Sequence, residues 1–239
     1  MRTSQEVFGI ELPIIQAPMA GVQGSALAIA VSNAGGMGSL PCAMLNLDQM
    51  RTELSAMRQK TSKPYNVNFF CHNSPEPDPA KETAWRTVLA PYYEEFSIKP
   101  TSASTGSGRA PFTQQAADLI EEFRPPVVSF HFGLPAADLL VRVKSTGAVI
   151  IGCATTVEEA LWLEACGADA VIAQGLEAGG HRGMLLTDDI SPQMGTFALL
   201  LCDFVCHCKG LFRLLIQQQV VVAEMTAGHV PMEPLRFQI

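Results

Sequence analysis

The chain has 239 residues, a length that fits two small domains or one large α/β domain such as a barrel. Hydrophobic residues make up 48% of it and charged residues 16%, which excludes a disordered protein. The formal net charge of −7 argues against a nucleic-acid partner, because no basic stripe is present to neutralise phosphates.

The first residues carry no apolar segment of the kind that forms a secretory signal. The longest apolar stretch, at 197–216, is interrupted by Asp203, His207, Lys209 and Arg213, which disfavours a bilayer span. Seven cysteines, an odd number in a chain large enough to need no disulfides, indicate reduced thiols. We therefore expect an intracellular, cytoplasmic protein without a membrane partner.

Short apolar runs alternate along the chain with amphipathic helical patterns, which is typical of repeated βα units around a parallel sheet. Each run is nearly continuous in apolar residues, as expected for a strand buried on both faces. The sequence thus predicts an α/β fold of the (β/α)8 TIM-barrel type, incomplete, with about six βα units and an atypical tail. The predicted strands are 14–19, 38–41, 65–70, 127–132, 148–154 and 170–174.

Helix signals lie between the predicted strands. Thr155 with Glu158, and Thr156 with Glu159, have the spacing of two overlapping capping boxes. Pro135 suits the first turn of the helix that follows the fourth predicted strand.

The predicted barrel portion covers 1–200 and is interrupted at about 71–111 by an irregular stretch rich in proline and serine. This stretch is predicted to be an excursion over the barrel mouth with a short helix near 81–90, although a plain linker would have the same composition. An atypical tail at 201–239 replaces the last βα units, and a further strand is plausible at 220–223.

The glycine-rich segment after the last predicted strand is a candidate ligand-binding loop, because the working residues of a barrel follow the carboxyl ends of its strands. Consecutive amides at Gly179 and Gly180 can bind an anion or lie against a planar ring. His181 follows directly and can donate a hydrogen bond or move a proton. The alternative is a glycine-rich loop with a solvated histidine.

Other polar residues also stand at strand ends. His131 ends an apolar strand and is predicted to point towards the barrel mouth, although a core histidine would fit the same pattern. His72 is the weaker candidate and is interpreted as a loop residue. Asn68 and Gln174 carry amides that could satisfy the donors and acceptors of a flat heterocycle.

Four segments together resemble the motifs of class I nitronate monooxygenases, in the order in which that family has them. The resemblance covers about 1–200. The segments are Gln-Ala-Pro-Met-Ala-Gly at 16–21, Ser-Phe-His-Phe-Gly at 129–133, Gly-Cys-Ala-Thr-Thr at 152–156 and Ala-Gln-Gly-Leu-Glu-Ala-Gly-Gly-His-Arg-Gly at 173–183.

The resemblance implies bound FMN and the oxidation of alkyl nitronates, such as propionate 3-nitronate, by dioxygen to a carbonyl compound and nitrite. His181 falls on the family's catalytic histidine and His131 on a substrate-facing histidine. The residues that fall on cofactor-binding positions are Ala17, Pro18, Met19, Asn68, Gln174, Gly179 and Gly180.

After Gly183 the sequence has no matching Gly-Gly turn of the kind that holds the FMN phosphate in family members. We therefore expect weak FMN affinity, with a frameshift or a splice variant as possible origins of the tail. The alternatives are an NAD(P)H-dependent flavin reductase of the same barrel superfamily and a catalytically inactive truncated paralogue. No metal site is expected, because the spacing of Cys202, Cys206, His207 and Cys208 fits no common zinc pattern.

Overall fold

The computed structural model describes residues 3–74, 76, 78–99 and 110–200, together with the backbone of 214–216. Helices and strands alternate along most of this length. In chain order the elements are α1 (Ser4–Phe8), α2 (Ser25–Asn33), β1 (Gly38–Pro41), α3 (Leu47–Lys60), β2 (Tyr65–Phe70), α4 (Pro79–Glu95), α5 (Gln114–Phe123), β3 (Val127–His131), α6 (Ala137–Ser145), β4 (Val149–Ala154), α7 (Val157–Ala165), β5 (Ala170–Ala173) and β6 (Leu214–Ile216).

The strands form one sheet in the order β1-β2-β3-β4-β5-β6, and every neighbouring pair is parallel. Strands that are consecutive in the chain are therefore neighbours in space, as repeated βα units require. All carboxyl ends lie at one edge of the sheet, and this edge positions the candidate site.

The first predicted strand, at 14–19, is wrong as a strand, because only a single parallel bridge joins Ile15 to Met37 beside β1. Pro13 and Pro18 lack the N–H group that a longer ladder needs, which limits the pairing to this point. The sixth strand of the sheet is instead β6, a segment that the sequence did not predict as a strand. The strand predicted at 220–223 lies outside the described residues.

The other predicted strands agree with the structure to within one residue at each end. β3 ends at His131 because Phe132 (φ 65°) and Gly133 (φ 96°) both take the left-handed backbone conformation, which turns the chain. His131 is therefore the last residue of its strand.

The helix predictions need three corrections. In the excursion, α4 is longer than the predicted 81–90. Pro135 lies outside α6, which begins two residues later with Ala136 as its N-cap. At α7, the Thr156 hydroxyl accepts from the Glu159 amide as predicted, but the Glu159 carboxylate bonds to Thr155 instead of completing a box.

The amino end of the sheet is closed by the N-terminal segment. Phe8 and Ile10 are buried against Met37, Val127 and other residues near the beginnings of the strands. Helices α3, α5 and α6 cover one face of the sheet with a second, larger apolar cluster. No helix among the described residues is long and apolar enough to cross a membrane.

Candidate functional site

The site is built around one main-chain oxygen at the carboxyl edge of the sheet. The carbonyl oxygen of His181 accepts hydrogen bonds from His131 Nε2 at 3.1 Å and from Gln174 Nε2 at 2.8 Å. His131 ends β3 and Gln174 directly follows β5, so two strands place their donors on the same acceptor. The structure thus brings together three of the residues that the sequence singled out.

The bond to His181 fixes the tautomer of His131. A carbonyl oxygen can only accept, so His131 Nε2 carries the proton, and Nδ1 keeps a lone pair while the ring is neutral. Burial lowers the pKa of His131 to about 4, and the hydrogen bond to the carbonyl offsets this only in part. His131 is therefore a neutral hydrogen-bond donor at pH 7.

Both the nitrogen and the oxygen of the Gln174 side-chain amide form hydrogen bonds with the glycine-rich loop. Its Nε2 donates to the His181 carbonyl, and its Oε1 accepts from the Gly183 amide at 2.6 Å. The side chain is almost completely buried, with 3% of the residue exposed. The position that resembles a cofactor-binding residue is thus also one that orders the loop.

Gly183 is needed for its lack of a side chain. A Cβ atom at this position would lie 2.7 Å from Cε1 of His131, 3.1 Å from Sγ of Cys153 and 3.1 Å from Oε1 of Gln174. Any larger residue would therefore displace groups of the site itself.

Two phenylalanine rings form an aromatic platform, which we define as Phe70 and Phe132. The His181 ring lies 5.5 and 6.0 Å from their centroids, and the His131 ring lies 5.8 and 4.4 Å from them. Phe132 reaches this place with a left-handed backbone, which is costly for a residue with a Cβ atom. The structure thus retains backbone strain next to the two histidines.

His72 belongs to the same cluster, although the sequence favoured it only as a loop residue. It lies in the loop after β2, yet its ring packs 6.2 and 6.0 Å from the two rings of the aromatic platform. Its Nδ1 atom is buried and has no hydrogen-bond partner among the described residues. The sequence position of His72 could have indicated this contact, because it lies two residues after Phe70 and alternate residues of an extended chain point the same way.

The segment that contains Ala17, Pro18 and Met19 is anchored to β1 by glutamine side chains. Gln16 accepts from the Ser39 amide at 3.1 Å, and Gln23 donates to the Ser39 carbonyl at 2.7 Å. Ala17 and Pro18 are half-buried, while Met19 is 39% exposed.

A buried polar layer crosses the sheet below the aromatic platform. Asn66 and Asn68 each donate from Nδ2 to the Ser129 hydroxyl at 2.9 Å, and Asn66 also donates to the Ser39 hydroxyl at 3.1 Å. The Asn66 Oδ1 atom is buried and has no hydrogen-bond partner in the described part of the chain. The layer therefore keeps one acceptor unused.

The remaining candidate residues lie on the exposed loop. Gly179, Gly180 and His181 are all exposed, and Gly180 has a φ of 77° that favours glycine. Within the described ranges, no group of histidine, cysteine or acidic residues could hold a metal ion. Cys202, Cys206, His207 and Cys208 lie outside the described residues.

A comparison with protein families finds a match to the model described as nitronate monooxygenase over residues 2–203. A nitronate monooxygenase from Paraburkholderia phytofirmans is 45% identical over 195 residues, which are 81% of this chain and 53% of that protein. A nitronate monooxygenase from Pseudomonas aeruginosa is 44% identical over 196 residues, which are 81% of this chain and 56% of that protein. The chain thus spans about half the length of the curated relatives it matches.

Solved structures give the same picture of the fold. The nitroalkane oxidase from Streptomyces ansochromogenes superposes with a TM-score of 0.76 at 34% identity, covering 89% of this chain and 60% of that chain. FabK from Thermotoga maritima superposes with a TM-score of 0.57 at 27% identity, covering 85% and 50%. The predicted TIM-barrel class is therefore confirmed, with a parallel sheet whose strands alternate with helices.

Proposed function

Because the chain belongs to the nitronate monooxygenase family, we propose that it catalyses the flavin-dependent oxidation of alkyl nitronates, propionate 3-nitronate among them, by dioxygen. The products would be a carbonyl compound and nitrite. The observation that carries this proposal is the pair His131 and His181, joined through the His181 carbonyl beside the aromatic platform at the carboxyl edge of the sheet.

The residues at this edge fit the ring system of FMN. The main-chain amides of the exposed Gly179 and Gly180 and the Asn68 side-chain amide offer the mixed donors and acceptors that a flavin edge requires. Ala17, Pro18 and Met19 would line that edge. When bound, FMN supplies the electron acceptor, while the protein binds and orients the substrate.

His181 is proposed to bind and stabilise the anionic nitronate. A nitronate has already lost its α-proton, so a base is needed only when a neutral nitroalkane is the substrate. The His181 side chain is exposed, and its main-chain carbonyl accepts hydrogen bonds from His131 and Gln174, which lie at the ends of two strands. This arrangement favours a fixed position for the imidazole relative to the bound substrate.

His131 is proposed to face the substrate as a neutral ring. A proton delivered to the nitronate carbon would return the substrate to the unreactive nitroalkane. Because burial lowers the pKa of His131 to about 4, this ring carries no acidic proton to donate at pH 7. The substrate is thereby protected from protonation on this side.

The test uses the 239-residue chain purified and incubated with FMN. Bound flavin absorbance, together with oxygen uptake and nitrite release on adding propionate 3-nitronate, would support the proposal. His181→Asn should keep the flavin spectrum but lower kcat/KM by about 100-fold or more. The absence of oxygen uptake at saturating FMN would reject the proposal, and NAD(P)H oxidation in its place would favour a flavin reductase.

A further inference from the structure

Glu159 has a buried carboxylate that accepts hydrogen bonds from the downstream part of the loop after β5. It lies in the first turn of α7, and only 1% of the residue is exposed. Its surroundings contain no ion-pair partner within the described residues. A buried charge is costly unless hydrogen bonds replace its lost water, so the donors around it decide its role.

Four donors surround the Glu159 carboxylate. Oε2 accepts from the Thr155 amide at 2.7 Å and from the Thr155 hydroxyl at 2.8 Å. Oε1 accepts from the Leu185 amide at 2.8 Å and from the Leu186 amide at 3.3 Å. The two oxygens thus join the end of β4 to the downstream part of the loop that follows β5.

Leu185 lies two residues after Gly183, whose amide donates to Gln174 and where an added Cβ would lie 2.7 Å from His131. Gln174 holds the loop at 181 and 183, and Glu159 holds it at 185 and 186. We propose that Glu159 is a positioning residue that fixes the downstream side of the loop carrying His181. The inference rests on the proposed function only for the chemistry assigned to His181.

The chemistry of the four donors makes a specific demand on residue 159. Three of the four donors are backbone N–H groups, which cannot reverse their role, and only the Thr155 hydroxyl can turn to accept. A glutamine would therefore turn its NH2 group towards Thr155 and keep its oxygen on Leu185 and Leu186. Glu159→Gln should leave one backbone amide without an acceptor, whereas Glu159→Ala should leave all four donors without one.

The experiment measures amide hydrogen exchange at 185–186 in the full chain, relative to exchange at Val128 in the buried centre of β3. Glu159→Ala should speed exchange at 185–186 by about tenfold or more, with Val128 unchanged. Glu159→Gln should speed it by less than about threefold. Glu158→Gln, an exposed neighbour that loses the same charge, is the matched control and should change neither.

Equal acceleration at Leu185 and Val128 in Glu159→Ala would show a merely global loss of stability and would overturn the inference. Unchanged exchange at 185–186 would overturn it too. In an active preparation, positioning predicts that kcat/KM falls by about tenfold while the folded fraction stays constant, with Glu159→Gln partly rescued. Amide exchange needs no substrate. If the chain is inactive on nitronates, the proposed function is contradicted, but the exchange measurement still tests this inference.

Discussion

Two loops leave the same edge of the sheet and are held in different ways. The loop after β5 is fastened by buried polar side chains, Gln174 and Glu159, which bond to its main chain. The excursion after β2 carries α4, a helix of 17 residues none of which is buried. Trp85 and Phe96 of this excursion are 61% and 65% exposed.

The difference shows what builds a site on this fold. The apolar side chains of α4 leave this helix on the surface. In the glycine-rich loop, by contrast, a few buried polar side chains bond to the main chain and fix its path. A buried polar group is costly without a hydrogen-bond partner, so one side chain can dictate the position of several main-chain atoms. Four substitutions or conditions would sharpen or break this contrast.

The largest effect is expected for Gln174→Leu. This change leaves the buried Gly183 amide without its acceptor and removes one of the two donors to the His181 carbonyl. The free energy of unfolding should fall by about 2–4 kcal/mol, and kcat/KM by about 100-fold. Urea denaturation and oxygen uptake would measure both, with the exposed Gln115→Leu as a control that should alter neither.

The next effect is a pH dependence of stability that comes from His131. Its pKa is about 4 in the folded chain, against an ordinary value of 6.5, so the unfolded chain binds the proton first as the pH falls. Stability should therefore be lost as the pH falls from about 6.5 to about 4, by about 2 kcal/mol at pH 5. Urea midpoints at pH 7 and pH 5 would test this, and His131→Phe with the same loss as the parent chain would contradict it.

A smaller loss of stability is expected for Gly183→Ala. The new Cβ must push away His131, Cys153 or Gln174, which costs about 1–2 kcal/mol but directly moves side chains of the candidate site. Activity should therefore fall by about tenfold, more than the stability change alone would cause. Gly195→Ala is the control, since the nearest atom to its Cβ lies 3.6 Å away. Equal effects of the two substitutions would contradict the crowding that we describe.

The smallest effect is expected on α4. Trp85→Ala should change the free energy of unfolding by less than about 0.5 kcal/mol, because its side chain is largely exposed. Thermal denaturation of the full chain would measure it. A loss of about 2 kcal/mol or more would mean that α4 is held as firmly as the loop after β5, and the contrast between the two loops would disappear.

Much of the sheet could be predicted from the sequence, because a buried parallel strand is a continuous apolar run bounded by turn residues. β1 and β2 have the predicted bounds, and β3 differs only where Phe132 turns left-handed. The first run failed because Pro18 within it and Pro13 just before it cannot donate to a ladder. The run that contains β6 was obscured by the polar residues around it.

The sequence pointed to some residues of the candidate site but not to their connections. The strand-end rule found His131 and Gln174, and the glycine-rich pattern found His181. His131 and Gln174 both bond to the His181 carbonyl, and this depends on the exact path of the loop after β5. The periodicity of apolar residues in the sequence does not determine that path. For the same reason Glu159 was interpreted only as a capping residue.

The hydrogen bonds at position 181 have a further consequence for how this site can change. His131 and Gln174 hold the main-chain oxygen of residue 181, a group that every amino acid carries. These two hydrogen bonds therefore do not depend on which side chain stands at this position. A mutation at 181 would replace the imidazole that we propose to bind the substrate without removing these bonds, so an evolving or engineered barrel could exchange its chemistry here in a single step.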